Sequence, residues 1–395
     1  KDPVWKKLVG DMKQVGEFAM DDFDVLLGFY FAYEGKPFSH LTFGRAKAPA
    51  KQMMEYLDTL RVGGKPAFVE FDRDVAILRV KTMMGVDTIE LIDKAYKEID
   101  AKSSKALIID LRGNGGGFID IANKIVDEFL EDDKLIVFTK NNKGDVSKSF
   151  ATEKGDFEKG GLYVLIDENS ASASEIVAGA LQDNDKGIII GRRSFGKGLV
   201  QQEMDLGDGS AVRLTTARYY TPTGRSIQKP YKKEDTKNNY GQDFNNRLKN
   251  GELFTKDSIK TIDSLQFTTP KGKVVYGGGG IIPDEFVAVD TTAYIPTIFF
   301  RPLNDFAFNY VDSNRKKLAT ITVDDFIKNF DKDGKISDQF LAKLKDYRVS
   351  ERTKTQLRND VKTLIARELF SDEGLYKVNQ VDDKMLEKVF ELEER

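Results

Sequence analysis

Residues 162–198 read LYVLIDENSASASEIVAGALQDNDKGIIIGRRSFGKG. The opening LYVLI is a short continuous apolar run, the pattern of a strand buried on both faces. A serine-rich turn over 169–174 leads into an alanine-rich helical stretch over 175–182. A second apolar run over 187–191 follows, and 192–198 closes the segment as a loop. Strand, helix and strand in that order make a βαβ unit with parallel strands.

The same grammar extends upstream. Residues 67–71 and 75–80 are short β-rich runs joined by Asp72-Arg73-Asp74, a hairpin. An amphipathic helix spans 86–100. Residues 106–111, ALIIDL, form another buried strand, ending at Arg112-Gly113-Asn114-Gly115-Gly116-Gly117. A helix with Ile119, Ile121, Ala122, Ile125, Val126 and Leu130 inward comes next, then a strand over 135–138 and a polar connector. The alternation predicts an α/β core with a mostly parallel sheet. Residues 1–64 read as an N-terminal helical segment and 65–290 as the core, with a polar surface excursion at 229–270. Residues 291–395 read as a C-terminal helical region, where Val361, Leu364, Ile365 and Leu369 keep helical spacing.

Composition narrows the chemistry. The chain has 395 residues, 61 Lys+Arg, 64 Asp+Glu and a net charge of -3, a balance that gives no electrostatic case for nucleic acid or an anionic membrane. Cysteine is absent and there is one histidine, which excludes thiol nucleophiles and thiolate metal sites. No apolar run approaches the ~18 residues of a membrane span. The N-terminal KDPVWKK has no signal-peptide core, which leaves a cytosolic protein or a leader removed earlier.

In an open α/β sheet, catalytic groups gather at the carboxyl ends of the strands. Loops 112–117, 169–174 and 192–198 all qualify. Twenty-five residues separate Ser172 from Lys197. The intervening helix runs back about 15–18 Å, and the strand returns about 17–20 Å, so the two side chains can meet. A serine hydroxyl needs a base, and lysine serves when burial or nearby positive charge lowers its pKa; Arg192 and Arg193 are candidates for that field. Amides at the helix start and in the 115–117 loop could hold an oxyanion. Ser172-x-x-Glu175 is equally a capping box. Asp331-Lys332-Asp333-Gly334 lacks the later ligands of a calcium loop and reads as a turn.

Several blocks resemble the carboxyl-terminal processing, or tail-specific, serine proteases. They are 170–176 (SASASEI), 180–183 (ALQD), 195–201 (FGKGLVQ), Asp110-Leu111-Arg112 with Asn114 and Gly116-Gly117, 214–228 and 280–284. The likeness covers roughly 65–290. It implies a crotonase- or Clp-protease-like core, with Ser172 as nucleophile, Lys197 as general base and Gln201 orienting the lysine. The amides of Ala173 and Gly116 would form the oxyanion hole. Asp183 falls where the family often has a polar residue, with helix-end duty as the alternative. The resemblance implies a protein or peptide substrate, no cofactor and no metal. It suggests a bacterial cell-envelope or periplasmic location, with a lipid anchor on a segment outside this chain. The helical segments at both ends read equally as a cap on the core, a lid or a homodimer contact.

Two departures stand out. Gly191-Arg192-Arg193 replaces the Gly-Glu often found before the lysine loop. Only residues 44–70 separate the 38–43 segment from the first core strands, too few for the PDZ domain of many relatives, which would capture a substrate C-terminus as an added strand. Ser39-His40-Leu41-Thr42 resembles a histidine segment of tricorn-like proteases, making His40 the rival base. A non-catalytic peptide- or apolar-ligand-binding protein on the same scaffold is the alternative from another class.

Overall fold

The computed structural model describes residues 67–394 apart from 85–86, 103, 154, 156, 158–160, 208–209, 231–238, 290–294, 296 and 346. The helices read over 1–64, the length available to a PDZ domain and His40 lie outside or almost outside the described residues. The described chain opens with β1 (Ala67–Asp72), β2 (Val75–Val80), α1 (Asp87–Lys102), β3 (Ala106–Asp110) and α2 (Ile119–Asp127). Next come β4 (Leu135–Asn141), β5 (Val146–Phe150), β6 (Gly161–Ile166), α3 (Ala173–Asp183), β7 (Ile188–Gly191), β8 (Leu199–Asp205) and β9 (Ala211–Tyr220). Helix α4 (Asn239–Lys249) and the short strands β10 (Gln266–Thr268), β11 (Val274–Tyr276) and β12 (Glu285–Phe286) follow. Five helices finish it: α5 (Phe300–Leu318), α6 (Val323–Asn329), α7 (Lys335–Ala342), α8 (Glu351–Asn379) and α9 (Lys384–Glu393).

The fold is α/β with a mostly parallel sheet. Six strands run in the order β1-β2-β3-β6-β7-β12, antiparallel at the β1–β2 hairpin and parallel elsewhere. Continuous apolar runs form these strands because both faces are covered. On one face Leu107, Ile109, Val164 and Ile166 pack with Ile92, Ile125 and Val177 of α1, α2 and α3. On the other, Ile77, Ile108, Leu165 and Ile190 meet Met385, Leu386, Val389 and Phe390 of α9. Helix α3 is buried along its whole length. Its alanines and glycine permit that: a Cβ on Gly179 would stand 2.8 Å from Thr221 Cγ2.

Strand β4 takes a destination that the alternation does not foretell. It leaves the parallel series for a second, antiparallel sheet, β5-β4-β9-β8. The cause lies in non-local pairing: Phe138 to Asn141 of β4 pair with Tyr220 to Ala217 of β9, about eighty residues on. Helices α5 to α8 enclose a separate core around Phe306, Phe326, Phe340, Leu357 and Val361.

Candidate active site

Strands β3, β6 and β7 deliver loops 111–118, 167–172 and 192–198 to one edge of the parallel sheet. Backbone bonds stitch them together: Ala171 N–H donates to Asn114 O (3.0 Å) and Phe195 N–H to Ser170 O (2.9 Å). The Asp167 carboxylate accepts the Gly113 and Ser170 amides, both at 3.0 Å.

The three serines of the turn have different fates. Ser170 and Ser174 are fully buried, and their hydroxyls donate to Leu111 O (2.8 Å) and Asn114 O (3.0 Å). They bind the turn to the glycine loop. Ser172 is half-buried and stands at the start of α3 with φ 57 and ψ −115, a backbone conformation that costs on the order of 1–3 kcal/mol for a non-glycine residue and clusters at functional turns. Such a sharp turn between strand and helix presents a side chain above the sheet edge. The glutamate half of the capping box is made, with Ser172 N–H donating to Glu175 Oε2 at 2.9 Å, while the Glu175 amide bonds the Ser172 carbonyl oxygen.

Glu175 does more than cap. Its carboxylate is fully buried. Oε2 also accepts the Lys197 amide at 2.8 Å; Oε1 accepts the Gly196 amide at 2.6 Å and the Ser194 hydroxyl. One carboxylate oxygen therefore receives the main-chain N–H of both Ser172 and Lys197. On the carbonyl side, the buried Tyr219 hydroxyl lies 2.7 Å from Lys197 O and 3.1 Å from Ser172 O. Burial pushes the Glu175 carboxyl up, opposed by the four hydrogen bonds it accepts. Burial also raises the Tyr219 phenol well above its usual range, so it stays a donor.

The Lys197 amine makes no hydrogen bond or ion pair among the described residues, and its pKa is lowered, first by burial and then by Arg213, with Glu175 opposing. The field does not come from the arginines singled out in the sequence. Arg192 is paired to Glu168 at 2.7 Å and Arg193 to Glu252 at 2.6 Å. Arg213, on β9, is the contributing cation, itself bonded to Glu203 at 2.9 Å.

The 229–270 excursion braces the lysine loop. Arg247 of α4 donates to Ser194 O (3.1 Å) and to Arg193 O, and it shares Glu252 with Arg193. The Lys229 ammonium pairs with Asp243 at 3.0 Å and stands 3.7 Å over the Phe195 ring. Ser194 Oγ accepts the Ile281 amide, so the 280–284 block packs against the same loop.

Gly116 sits against the serine turn. A Cβ there would stand 2.8 Å from Ser172 Cβ and 2.7 Å from Ala173 N, and its φ of 95 suits glycine. Its own amide donates to Asn114 Oδ1 at 2.8 Å. Ala173 occupies the first turn of α3, where a backbone amide has no partner within the helix. Two candidates stay apart from the cluster. Gln201 is exposed on β8 with no hydrogen bond to Lys197 among the described residues. Asp183, at the far end of α3, is buried, pairs with Arg225 at 2.7 Å and accepts the Thr223 hydroxyl at 2.6 Å, a packing duty. The Asp331 carboxylate accepts the amides of Ile336 and Ser337, a turn at the start of α7.

Sequence reading missed Tyr219, Arg213 and the wider role of Glu175. The Ser-x-x-Glu spacing carried the only local signal for Glu175. Tyr219 and Arg213 reach the site through β9, whose pairing is non-local.

Residues 74–237 match the model of Peptidase family S41, and 301–372 match a family of unknown function, DUF8443. A carboxy-terminal-processing protease of Bartonella bacilliformis is 44% identical over 160 residues, covering 39% of this chain and 36% of that protein. The carboxy-terminal processing protease CtpB of Bacillus subtilis is 38% identical over 144 residues, covering 36% and 29%. The matched stretch thus spans about a third of those relatives. A solved photosystem II D1 C-terminal processing protease is 30% identical, with a TM-score of 0.40, covering 42% of this chain and 47% of that one.

Proposed function

We propose, from the premise that the chain belongs to peptidase family S41 through residues 74–237, that it is a serine endopeptidase with Ser172 as nucleophile and Lys197 as base. The observation that carries this reading is the double bridge: Glu175 takes both amides and Tyr219 contacts both carbonyls of Ser172 and Lys197. Two residues 25 apart in sequence are thereby fixed as a pair.

The chemistry follows. The Lys197 amine, in its uncharged form, takes the Ser172 hydroxyl proton as Oγ attacks a peptide carbonyl carbon. The resulting oxyanion is met by the Ala173 amide, with a glycine-loop amide as second donor. Collapse breaks the C–N bond, and the lysine passes its proton to the leaving amine. Water, deprotonated by the same lysine, then attacks the acyl ester; collapse breaks the ester C–O bond, and the lysine returns the proton to Ser172 Oγ. Release of Gly116 N–H from Asn114 on substrate binding would supply the second donor.

The substrate is a protein or peptide, in keeping with the processing-protease names of the relatives, and the bacterial cell envelope or periplasm is the proposed location. Among the described residues no helix is long and apolar enough to cross a membrane. A homodimer through terminal helices remains part of this proposal. Hydrolysis of labelled casein by Lys197→Ala and His40→Ala, each compared with wild type, tests the base. Loss in Lys197→Ala alone supports the dyad. Loss in His40→Ala alone replaces it with a serine–histidine pair, and no turnover by wild type on casein or a peptide library favours a binding protein.

A further inference from the structure

The glycine loop is gripped from outside the family-matched core. Arg112, its first residue, donates from Nε and Nη2 to Asp110 at 2.9 and 2.7 Å. Its Nη1 pairs with Asp383 at 2.7 Å, across 271 positions of sequence. Asp383 is also the N-cap of α9: its Oδ1 accepts the amides of Met385 and Leu386 while Oδ2 faces the guanidinium. Behind Asp110 lies Arg79, bonded to both Asp110 and Glu70 and stacked 4.6 Å from the Tyr376 ring. These side chains are largely buried, so the chain Glu70–Arg79–Asp110–Arg112–Asp383 is weakly screened and geometrically demanding.

A second grip lies nearby. Lys81 pairs with Asp372, the residue after the kink that Ser371 (φ 60) puts in α8. Two residues on, Met83 N–H donates to Gly116 O (3.1 Å) and its carbonyl accepts the Phe118 amide (2.9 Å). The C-terminal residues 372–383 thus hold both borders of the loop that sets Gly116 against Ser172.

We infer that Asp383 is a positioning residue: through Arg112 it holds the glycine loop in the register that the oxyanion donors need. Its catalytic consequence rests on the protease reading; the physical coupling does not. The side-chain chemistry allows the two duties of Asp383 to be separated, because asparagine caps a helix as well as aspartate but forms no ion pair, and with its one oxygen in the cap it turns an NH2 donor towards the guanidinium.

The test is amide hydrogen exchange over residues 112–118, with casein hydrolysis in parallel, for Asp383→Asn, Asp383→Glu and wild type. Wild-type amides of Gly113, Asn114 and Gly116 are hydrogen-bonded and should exchange slowly. In Asp383→Asn they should exchange at least about tenfold faster, kcat should fall about 10- to 100-fold with KM within twofold, and Asp383→Glu should recover much of both. Unchanged exchange, or faster exchange with unchanged kcat in an active wild type, overturns the inference. Failure of wild type to hydrolyse casein or peptides sinks the protease reading instead, and exchange alone then decides the coupling. Should Asp383→Asn not fold, Asp372→Asn loosens the same loop through Lys81 and is read by the same exchange.

Discussion

The serine turn and the tip of the β8–β9 hairpin are both built from residues near the proposed site, yet they are held in opposite ways. At the turn, every bridging group is buried: Glu175, Ser194 and Tyr219 are at most 1% exposed. Among the described residues, the hairpin beyond Gln201 and Thr215 has only its own two strands, since β4 pairs with β9 only from Ala217 onward. Met204, Val212 and Leu214 there are exposed, and the cross-strand ion pair Arg213–Glu203 stands in solvent. Buried polar groups fix a geometry because losing a partner leaves others unsatisfied. Solvent-exposed pairs leave a ribbon free to adjust. One region can hold reacting atoms in place; the other can yield to a substrate.

Breaking the buried side should cost most. Glu175→Ala strands the amides of Ser172, Gly196 and Lys197 and the Ser194 hydroxyl; at about 1–3 kcal/mol for each buried unsatisfied group, unfolding by urea should show a loss of several kcal/mol or no folded protein. Gly116→Ala comes next, since the new methyl meets Ala171 O at 2.6 Å and requires a positive φ. A fall in kcat of at least about 100-fold is expected from a displacement near 1 Å, measured on labelled casein. Tyr219→Phe removes one hydroxyl and leaves the ring packed, so stability should fall by about 1–2 kcal/mol, with kcat reduced and KM little changed.

The smallest effect belongs to the exposed side, and it concerns pH. Arg213 lowers the Lys197 pKa, so Arg213→Gln should raise it. On the proposed mechanism it is the neutral amine that acts, hence the rate should climb with pH through a midpoint below the ordinary 10.5 in wild type. In the variant that midpoint should move to higher pH, with no resolvable change in Tm. A midpoint that stays put, or moves down, would remove Arg213 from the account.

The parallel core was legible because fully buried strands write continuous apolar runs and the helices between them write a 3.6 period. The elbow was legible in part: SASASE marks a helix start, and the hydroxyl fates that distinguish Ser172 from Ser170 and Ser174 depend on Leu111 and Asn114, sixty residues away. Arg192 and Arg193 misled, since the acids that engage them, Glu168 and Glu252, are placed by tertiary contact. The grip of Asp383 on Arg112 left no local pattern beyond an ordinary helix cap. Long-range polar pairing between surface-looking residues has no periodicity for a sequence reading to find.

The central claim is the activation of Ser172 by Lys197, and labelling with a fluorophosphonate followed by peptide mass spectrometry tests it most directly. The account predicts a single adduct on Ser172, forming at least about 100-fold more slowly in Lys197→Ala. Labelling on Ser170 or Ser174, or an equal rate in the two proteins, would contradict it.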